Sequence, residues 1–500
     1  MTAADVNVIS PVLAAILTAL AILVVDLIVP GRTIPVMVVA LGGLLITAIV
    51  TISVGAGDAV TAFGEAGHGM YRLDDLTTFL DLLFVGIIAM TILFAPDYLA
   101  PRNLPLAEFA TVLVFAMCGA MVIAAAADLL LLFIGLELMV LPGYLLAAYH
   151  KTDGYSTEGA IKYFLLGSFS SAIFLFGLAF VWGLTGSTRI EAVAGALTAV
   201  VGPNATAPFS PGLAMGLAFL TTGVAFKIAA VPFHYWTPDA YQGSPTPITG
   251  YLSVGPKVGA FALILRLFAE ALGPLKAEWL PVIIVLAAVT MTLGNLVALT
   301  QDNVKRMLAY SSIAHTGYML VGLAAFAGGP TNDVQQAGLQ ALLFYAAAYA
   351  VMNLGAFAVI AALQKRAGVT SGLNTFAGLI RREPTLTFLM TLFLLSLVGI
   401  PPTAGFFAKF LLIQAAVGAG GWVGLLAVLL VVNAAAAAFY YLRVVVYMFM
   451  RDPATDAPAL RHGALLWGGL AVATVLTILF GFVPGVILGM VKDAAAAITG

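Results

Sequence analysis

Long apolar runs dominate this chain and leave very few folds open to it. About 20 helical residues cross the hydrocarbon core of a bilayer, so runs of roughly 18 or more apolar residues predict spanning helices. Inside a bilayer only helices and closed barrels satisfy every backbone polar group. The sequence predicts an all-α integral membrane protein with about fourteen transmembrane helices, at 9–29, 34–54, 76–95, 109–127, 128–149, 160–185, 211–233, 248–271, 279–300, 304–327, 336–363, 385–417, 422–449 and 464–490.

The composition agrees and excludes several functional classes. The chain is 62% hydrophobic, 9% charged and has a mean hydropathy of +1.08, whereas soluble domains are about 25% charged. A net charge of −2 gives no indication of nucleic-acid binding. The single cysteine, Cys118, excludes a disulfide framework and a four-cysteine cluster site. No basic segment precedes the first apolar run, so we expect a retained helix rather than a cleaved signal peptide.

Lysine and arginine in the loops predict an orientation, because these residues concentrate on the inner side of a membrane. With the N-terminus outside, four basic loop residues are outside: Arg72, Arg189, Lys276 and Lys492. The inner side then holds a larger set, namely Arg32, Arg102, Lys151, Lys162, Lys305, Arg306, Lys365, Arg366, Arg381, Arg382, Arg451 and Arg461. With fourteen spans, the C-terminus is also expected outside.

Glu137, Lys227, Lys257 and Lys409 are charged residues that lie deep inside predicted spans. A charge near the bilayer centre costs about 2.5–3.5 kcal/mol on insertion scales unless it is paired, hydrated or neutralised. Burial disfavours the charged form of an acid or a lysine, and a nearby opposite charge favours it. A Glu–Lys pair in an apolar bundle is therefore a two-state device whose lysine can give up a proton when the pair opens. These residues predict proton transfer; a structural tie between helices is the alternative for each.

Two further titratable groups lie in the spans. His315 is about eleven residues into the tenth span, beside Ser311, Ser312 and Thr316. A proton relay and a core histidine with satisfied hydrogen bonds both remain open for it. Asp81, early in the third span, is expected to face an interfacial cavity rather than to join a relay.

Proline interrupts the seventh and twelfth spans. Pro232 follows Lys227 by five residues, and the segment 399–402 precedes Lys409. Proline removes a backbone donor and clashes with the preceding turn, so both helices should be broken there. Interrupted helices in corresponding positions of two halves indicate inverted repeats in transporters. We therefore predict N-terminal helices 1–3 in 1–108, five-helix repeats in 109–271 (helices 4–8) and 279–449 (helices 9–13), and a C-terminal helix in 450–500.

Four segments around the buried charges resemble the antiporter-like membrane subunits of respiratory complex I, which are related to subunits of multi-subunit cation/proton antiporters. They read KIAAVPFHYWTPDAYQGSPTP at 227–247, LSVGPK at 252–257, KRMLAYSSIAHTGY at 305–318 and GIPPTAGFFAK at 399–409. The resemblance is closest to N-type subunits of NADH–quinone oxidoreductase. M-type subunits typically carry glutamate at the position of Lys409, and L-type subunits continue into a long lateral helix.

The resemblance implies a proton-translocating module of the prokaryotic plasma membrane that binds no cofactor itself. NADH, flavin, iron–sulfur clusters and quinone would act in other subunits, and the partners would be other membrane-arm subunits and the lipid bilayer. By motif position, Glu137 and Lys227 would be a switching pair, Lys257 the central relay, His315 a bridge, and Lys409 the site that exchanges with the outer side. A sodium/proton antiporter subunit of the same fold and a structural subunit that moves no proton are the two open alternatives.

Overall fold

A computed structural model describes residues 2–64, 68–201, 210–365, 368–453 and 460–499. The α-helices are α1 (Ala3–Val8), α2 (Ser10–Ile28), α3 (Thr33–Gly55), α4 (Asp75–Leu99), α5 (Leu106–Ala125), α6 (Leu129–Ala147), α7 (Gly154–Thr185), α8 (Ile190–Val201), α9 (Pro211–Lys227), α10 (Trp236–Gly243), α11 (Thr246–Ile264), α12 (Lys276–Ala298), α13 (Val304–Gly328), α14 (Asn332–Leu363), α15 (Leu379–Arg382), α16 (Pro384–Val398), α17 (Ala404–Ala419), α18 (Gly421–Met450), α19 (Ala464–Phe482) and α20 (Gly485–Thr499). A π-helix, Leu265–Ala271, continues α11, and short 3₁₀ helices cover Ala100–Arg102, Gly273–Leu275 and Leu373–Phe376. Two short strands, β1 (Val60–Ala62) and β2 (Tyr71–Leu73), pair antiparallel with Val60 opposite Leu73.

The predicted all-α membrane architecture is confirmed. Each of the predicted apolar segments contains at least one helix, and eleven helices in the described ranges are long and apolar enough to cross a bilayer. Large apolar side chains are exposed on the outer helices, for example Leu17 at 63% and Val428 at 62%. Such a surface suits lipid rather than water. The count of fourteen spans and the inverted repeats stay predictions.

The last predicted span is not one helix. The prediction of a continuous helix over 464–490 is wrong, because α19 ends at Phe482 and α20 begins at Gly485. Pro484 lies in the gap, where it offers no N–H group and disfavours helical backbone at Val483. The chain therefore turns between α19 and α20.

Both predicted interruptions are present. The chain is non-helical over 228–235 after α9, and over 399–403 between α16 and α17. Gly399 has φ +93°, a left-handed conformation that glycine adopts without strain. Side chains from neighbouring helices bind the freed backbone groups of the first break, since Thr290 Oγ1 accepts from the Val231 amide at 3.0 Å. The broken helices are thus held by tertiary contacts.

The centre of the bundle is formed by α11 and α14, whose apolar segments are completely buried. α14 packs against α11, α13, α16 and α17, and α13 also packs against α12 and α17. This arrangement buries the polar row of α13 in the middle of the protein. The helices that carry most of the predicted relay residues therefore surround one core.

α5 and α6 approach closely beside Glu137. A Cβ atom on Gly119 would lie 2.2 Å from the Met139 backbone nitrogen, and one on Gly135 would lie 2.9 Å from the Ile123 nitrogen. Asp128 caps α6 by accepting from the Leu130 amide at 2.8 Å, as the predicted turn there requires. These contacts fix the helix that carries Glu137.

We expect the Gly119→Ala variant to lose stability, although alanine is the better helix former. Its new methyl group would overlap the backbone of α6, and overpacking of this kind costs about 1–3 kcal/mol. The matched control is Gly86→Ala in α4, where an added Cβ meets nothing within 4 Å. The midpoint of heat-induced aggregation, measured in detergent, should fall for the first variant and not for the control. Equal midpoints would contradict the close contact of α5 with α6.

Candidate functional site

The predicted relay residues lie on five different helices and converge on the interior. Glu137 is on α6 and half-buried, while the other four are buried: Lys227 on α9, Lys257 on α11, His315 on α13 and Lys409 on α17. The exposed fractions of the three lysines are 7%, 1% and 5%, respectively. In the described part of the chain the lysines that form ion pairs within 4.0 Å are Lys162 and Lys365. Lys227, Lys257 and Lys409 are therefore held by neutral groups.

Lys227 is the last residue of α9, at the start of the first break. Its Nζ donates to Ser171 Oγ at 2.8 Å and lies 3.5 Å from the carbonyl oxygen of Gly167, both on α7. Gly167 also allows the Tyr144 hydroxyl to approach α7, because a Cβ atom on residue 167 would lie 2.0 Å from that hydroxyl. Neither Ser171 nor Tyr144 was predicted from the sequence as a site residue. The serines at 168, 170 and 171 lie in an otherwise apolar helix, and this pattern could have identified Ser171 as a candidate.

Glu137 makes no direct contact with Lys227. Its Oε1 atom is buried without a hydrogen-bond partner, and no cation lies within 4.0 Å of the carboxylate among the residues that the structure describes. The structure therefore holds Glu137 and Lys227 apart, with Lys227 bound to α7 instead. Their role as a switching pair stays a prediction.

Lys257 is bonded to α13 and, through it, to the first break. Its Nζ donates to the Ser312 carbonyl oxygen at 2.5 Å and to Thr316 Oγ1 at 2.9 Å. Thr316 Oγ1 in turn donates to the Ile228 carbonyl oxygen at 2.8 Å. Ile228 follows Lys227 directly, so a single hydroxyl joins the central lysine to the unwound segment. Nothing in the sequence around Thr316 predicts this role.

His315 lies in a cage of tyrosines. Its Nδ1 is 2.8 Å from the Tyr345 hydroxyl and its Nε2 is 3.3 Å from the Tyr441 hydroxyl. Tyr349 packs against the ring with centroids 4.8 Å apart, and Tyr318 meets it edge-on at 5.4 Å. A neutral imidazole donates through one nitrogen and accepts through the other, which matches two hydroxyl partners. Both the relay and the satisfied core histidine fit this geometry.

Lys409 binds the end of the first half of the broken twelfth span. Its Nζ donates to the carbonyl oxygens of Leu397 at 3.0 Å and Val398 at 2.7 Å. These are the last carbonyl groups of α16, which have no partners within the helix and carry its negative dipole end. Lys409 Nζ also lies 5.1 Å from the centre of the Tyr318 ring. Tyr318 therefore stands between His315 and Lys409.

The five residues thus form two connected groups and one separate acid. Lys257 is joined through Thr316 to the backbone of Ile228, the residue after Lys227. Tyr318 is next to both His315 and Lys409. Thr316 adjoins His315 in sequence and so links the two groups on α13. No group of three or more histidine, cysteine, aspartate or glutamate side chains in the described ranges is arranged to hold a metal ion.

Comparisons with known proteins agree with this architecture. A family model described as NADH:quinone oxidoreductase/Mrp antiporter, TM, matches residues 126–433. The NADH-quinone oxidoreductase subunit N of Trichlorobacter lovleyi is 38% identical over 499 residues, which cover 99% of this chain and 98% of the relative.

Solved structures extend the comparison to three dimensions. A chain of respiratory complex I from Thermus thermophilus with bound aureothin has a TM-score of 0.76 and 30% identity, covering 97% of this chain and 99% of that one. A chain of the Mrp complex from Dietzia sp. DQ12-45-1b has a TM-score of 0.84 and 22% identity, covering 100% and 98%, and shows the shared fold. The family match spans more than half of the sequence, and the subunit N relative aligns along nearly all of it. The chain therefore belongs to the NADH:quinone oxidoreductase/Mrp antiporter family of membrane subunits, in its subunit N branch.

Proposed function

We propose that this chain is a proton-translocating subunit in the membrane arm of a prokaryotic NADH–quinone oxidoreductase. Its partners are the other antiporter-like and small membrane subunits of that complex, and NADH, flavin, iron–sulfur clusters and quinone belong to other subunits. Membership of the subunit N branch supports this assignment. Energy released by quinone reduction reaches this chain through charges along the membrane arm, and both termini lie on the outer side.

One observation carries the proposal: Lys227, Lys257 and Lys409 are buried in a membrane bundle with neutral oxygen atoms as their hydrogen-bond partners. A structural tie is best made with an opposite charge, because a buried unpaired charge is expensive. Lysine bound by neutral oxygens changes its protonation readily when a charge nearby changes. Such sites suit transient proton binding better than permanent anchoring.

The contacts suggest an order of transfer through the first half. Lys227 and Lys257 are separated by the non-helical segment 228–235, whose backbone groups can hold water where a helix could not. Thr316 Oγ1 accepts a hydrogen bond from Lys257 and donates to the Ile228 carbonyl. When water enters this segment, it can pass a proton to the hydroxyl while the hydroxyl passes its own proton to the neutral amine of Lys257.

In the second half, His315 is the intermediate. Its two ring nitrogens each face a tyrosine hydroxyl, so the imidazole can take a proton at one nitrogen and release one at the other. Lys409 follows, beyond the Tyr318 ring, and exchanges with the outer side. We assign helices within 109–271 and 279–449 to the two inverted repeats that would carry these half-channels.

Glu137 acts as the switch in this scheme. With its Oε1 unpartnered, the carboxylate is free to receive Lys227 when that side chain leaves Ser171. Closing the pair stabilises the charge on Lys227 and holds its proton, and opening the pair releases it towards Lys257. Input from a neighbouring subunit would drive the change between the two states.

Replacing Lys227 with alanine should abolish coupled proton transport while the complex still assembles. We expect protons translocated per NADH oxidised to fall at least about tenfold, equivalent to ~1.4 kcal/mol on the transfer step. Lys227→Arg should fail as well, because arginine does not release its proton. Lys151→Ala, at an exposed loop position, is the control. Full pumping by an assembled Lys227→Ala complex would favour the structural alternative, and sodium-dependent proton exchange without NADH or copurifying iron–sulfur subunits would favour the antiporter.

The Glu137→Gln variant should impair coupled NADH oxidation and leave assembly intact. Glutamine keeps the shape of the side chain but cannot carry the charge that retains the proton on Lys227. The measurements are NADH oxidation by membrane vesicles, and the amount of subunit recovered with the complex. Disappearance of the subunit from the membrane would identify Glu137 as a folding residue instead.

The Thr316→Val variant tests the hydroxyl between Lys257 and the first break. Valine preserves the volume, while hydrogen bonds to charged groups are worth about 1.5–3 kcal/mol, so transport should slow by roughly ten- to a hundredfold. Thr474→Val is the matched control, since Thr474 bonds to the carbonyl of Leu470 in its own helix. Proton uptake by vesicles after an NADH pulse reports the rate. Equal rates for the two variants would exclude Thr316 from the transfer route.

A further inference from the structure

A dense ion network closes the bundle where the relay helix α11 ends. Arg266, in the π-helix that continues α11, is fully buried and lies 2.8 Å from Asp74 and 2.6 Å from Glu270. Arg72 bridges the same two carboxylates at 2.9 and 2.6 Å, with 27% of its side chain exposed. The network therefore reaches from the surface, on the predicted outer side, to the end of the helix that carries Lys257.

Thr77 extends this network into α4. Its hydroxyl lies 2.9 Å from Asp74 Oδ1, and Arg266 Nη2 donates to it at 3.0 Å. Asp81 is four residues further along α4, on the same face and one turn deeper, about 6 Å at 1.5 Å per residue. A row of polar groups thus leads from the surface to Thr77, one turn of α4 before Asp81.

Asp81 is enclosed and unpartnered. Its exposed fraction is 0%, so the expectation that it faces an interfacial cavity is wrong. In the described ranges it is the one carboxylate whose two oxygen atoms are both buried without a hydrogen-bond partner. The titratable and charged groups around it are Asp74 at the N-cap of its own helix, Cys118 on α5, Tyr71 on β2 and Arg266 after α11. Tyr71 also has a buried hydroxyl without a partner.

These contacts give Asp81 no structural role. Arg266, the cation in the network next to it, already bonds to Asp74, Glu270, Thr77 and the Ala124 carbonyl. An ionised carboxylate without a partner inside a membrane bundle is costly, whereas the neutral acid is much less so. Asp81 therefore ties no helices together and is suited to hold a proton.

We propose that Asp81 is a second proton-binding carboxyl of this subunit, placed on the outer side beneath the Arg72–Asp74–Arg266–Glu270 network. The carboxylate binds one proton to become the carboxylic acid and returns the same proton, with no electron transferred. Tyr71 and the ion network lie between Asp81 and the surface, and Arg266 follows Lys257 by nine residues on the continuous helix. This proposal rests on the proposed function, since it adds an outer site to the same relay.

Infrared difference spectroscopy of the intact complex in membranes tests this site. The carboxylic C=O stretching band that changes during turnover should disappear in Asp81→Asn, and coupled proton translocation should fall at least about tenfold, as on removal of a positioned acid–base group. The matched control is Asp75→Asn, an exposed acid on the same helix, which should leave both readouts unchanged. Asp81→Glu should keep a carboxylic band at a shifted frequency, which covers the case in which Asp81→Asn fails to assemble.

The outcomes separate this proposal from the proposed function when Lys227→Ala is measured in parallel. The Asp81 site alone would be overturned if Lys227→Ala loses pumping while Asp81→Asn keeps both the carboxylic band and full pumping. Full pumping in Lys227→Ala would overturn the relay. If Asp81→Asn does not assemble, an unshifted band in Asp81→Glu would assign that band to another acid and overturn the site.

Discussion

The structure depends on how a membrane bundle tolerates lysine in its interior. A buried ammonium group needs oxygen atoms around it, and an unbroken helix has already bonded its own carbonyl groups. The break at 399–403 frees carbonyl groups of this kind, whereas hydroxyl and carbonyl oxygens of the unbroken helices α7 and α13 bind Lys227 and Lys257. Lys409 takes the two last carbonyls of α16, and Lys257 reaches the Ile228 carbonyl through Thr316. The second break therefore satisfies Lys409 directly, while the first break is joined to Lys257 only through the Thr316 hydroxyl.

The sequence predicted the architecture because its signals are local. Apolar runs fix where helices lie, and proline fixes where they end, so the spans and both interruptions could be located in advance. The last span was predicted as one helix because hydropathy continues through Pro484. The identities of the buried charges were also accessible, because a charge within an apolar run needs no knowledge of the fold to be recognised.

The partners of those charges could not be predicted, because they come from other helices. Ser171 lies 56 residues from Lys227 along the chain. The tyrosines around His315 lie 30 residues or more from it, except Tyr318 on the same helix. A carboxylate partner was expected for Lys227, yet a serine hydroxyl binds it. Asp81 was placed at a cavity on the basis of its position near a helix end, whereas α5 and β2 enclose it. Tertiary packing decided each of these cases.

Glu137 and Lys227 are not held with equal rigidity, and this difference indicates which of them can move. Glu137 lies on α6, whose backbone is in contact with α5 at Gly119 and Gly135, so a shift of this helix would require both to move. Lys227 ends a helix and precedes a non-helical segment, and its ammonium group is bound by a serine hydroxyl and a more distant carbonyl. Exchanging those neutral partners for a carboxylate requires rotation of one flexible side chain rather than displacement of packed helices. In the proposed switch, closure of the pair should therefore begin with Lys227 at the end of α9, and Glu137 on α6 should stay in place.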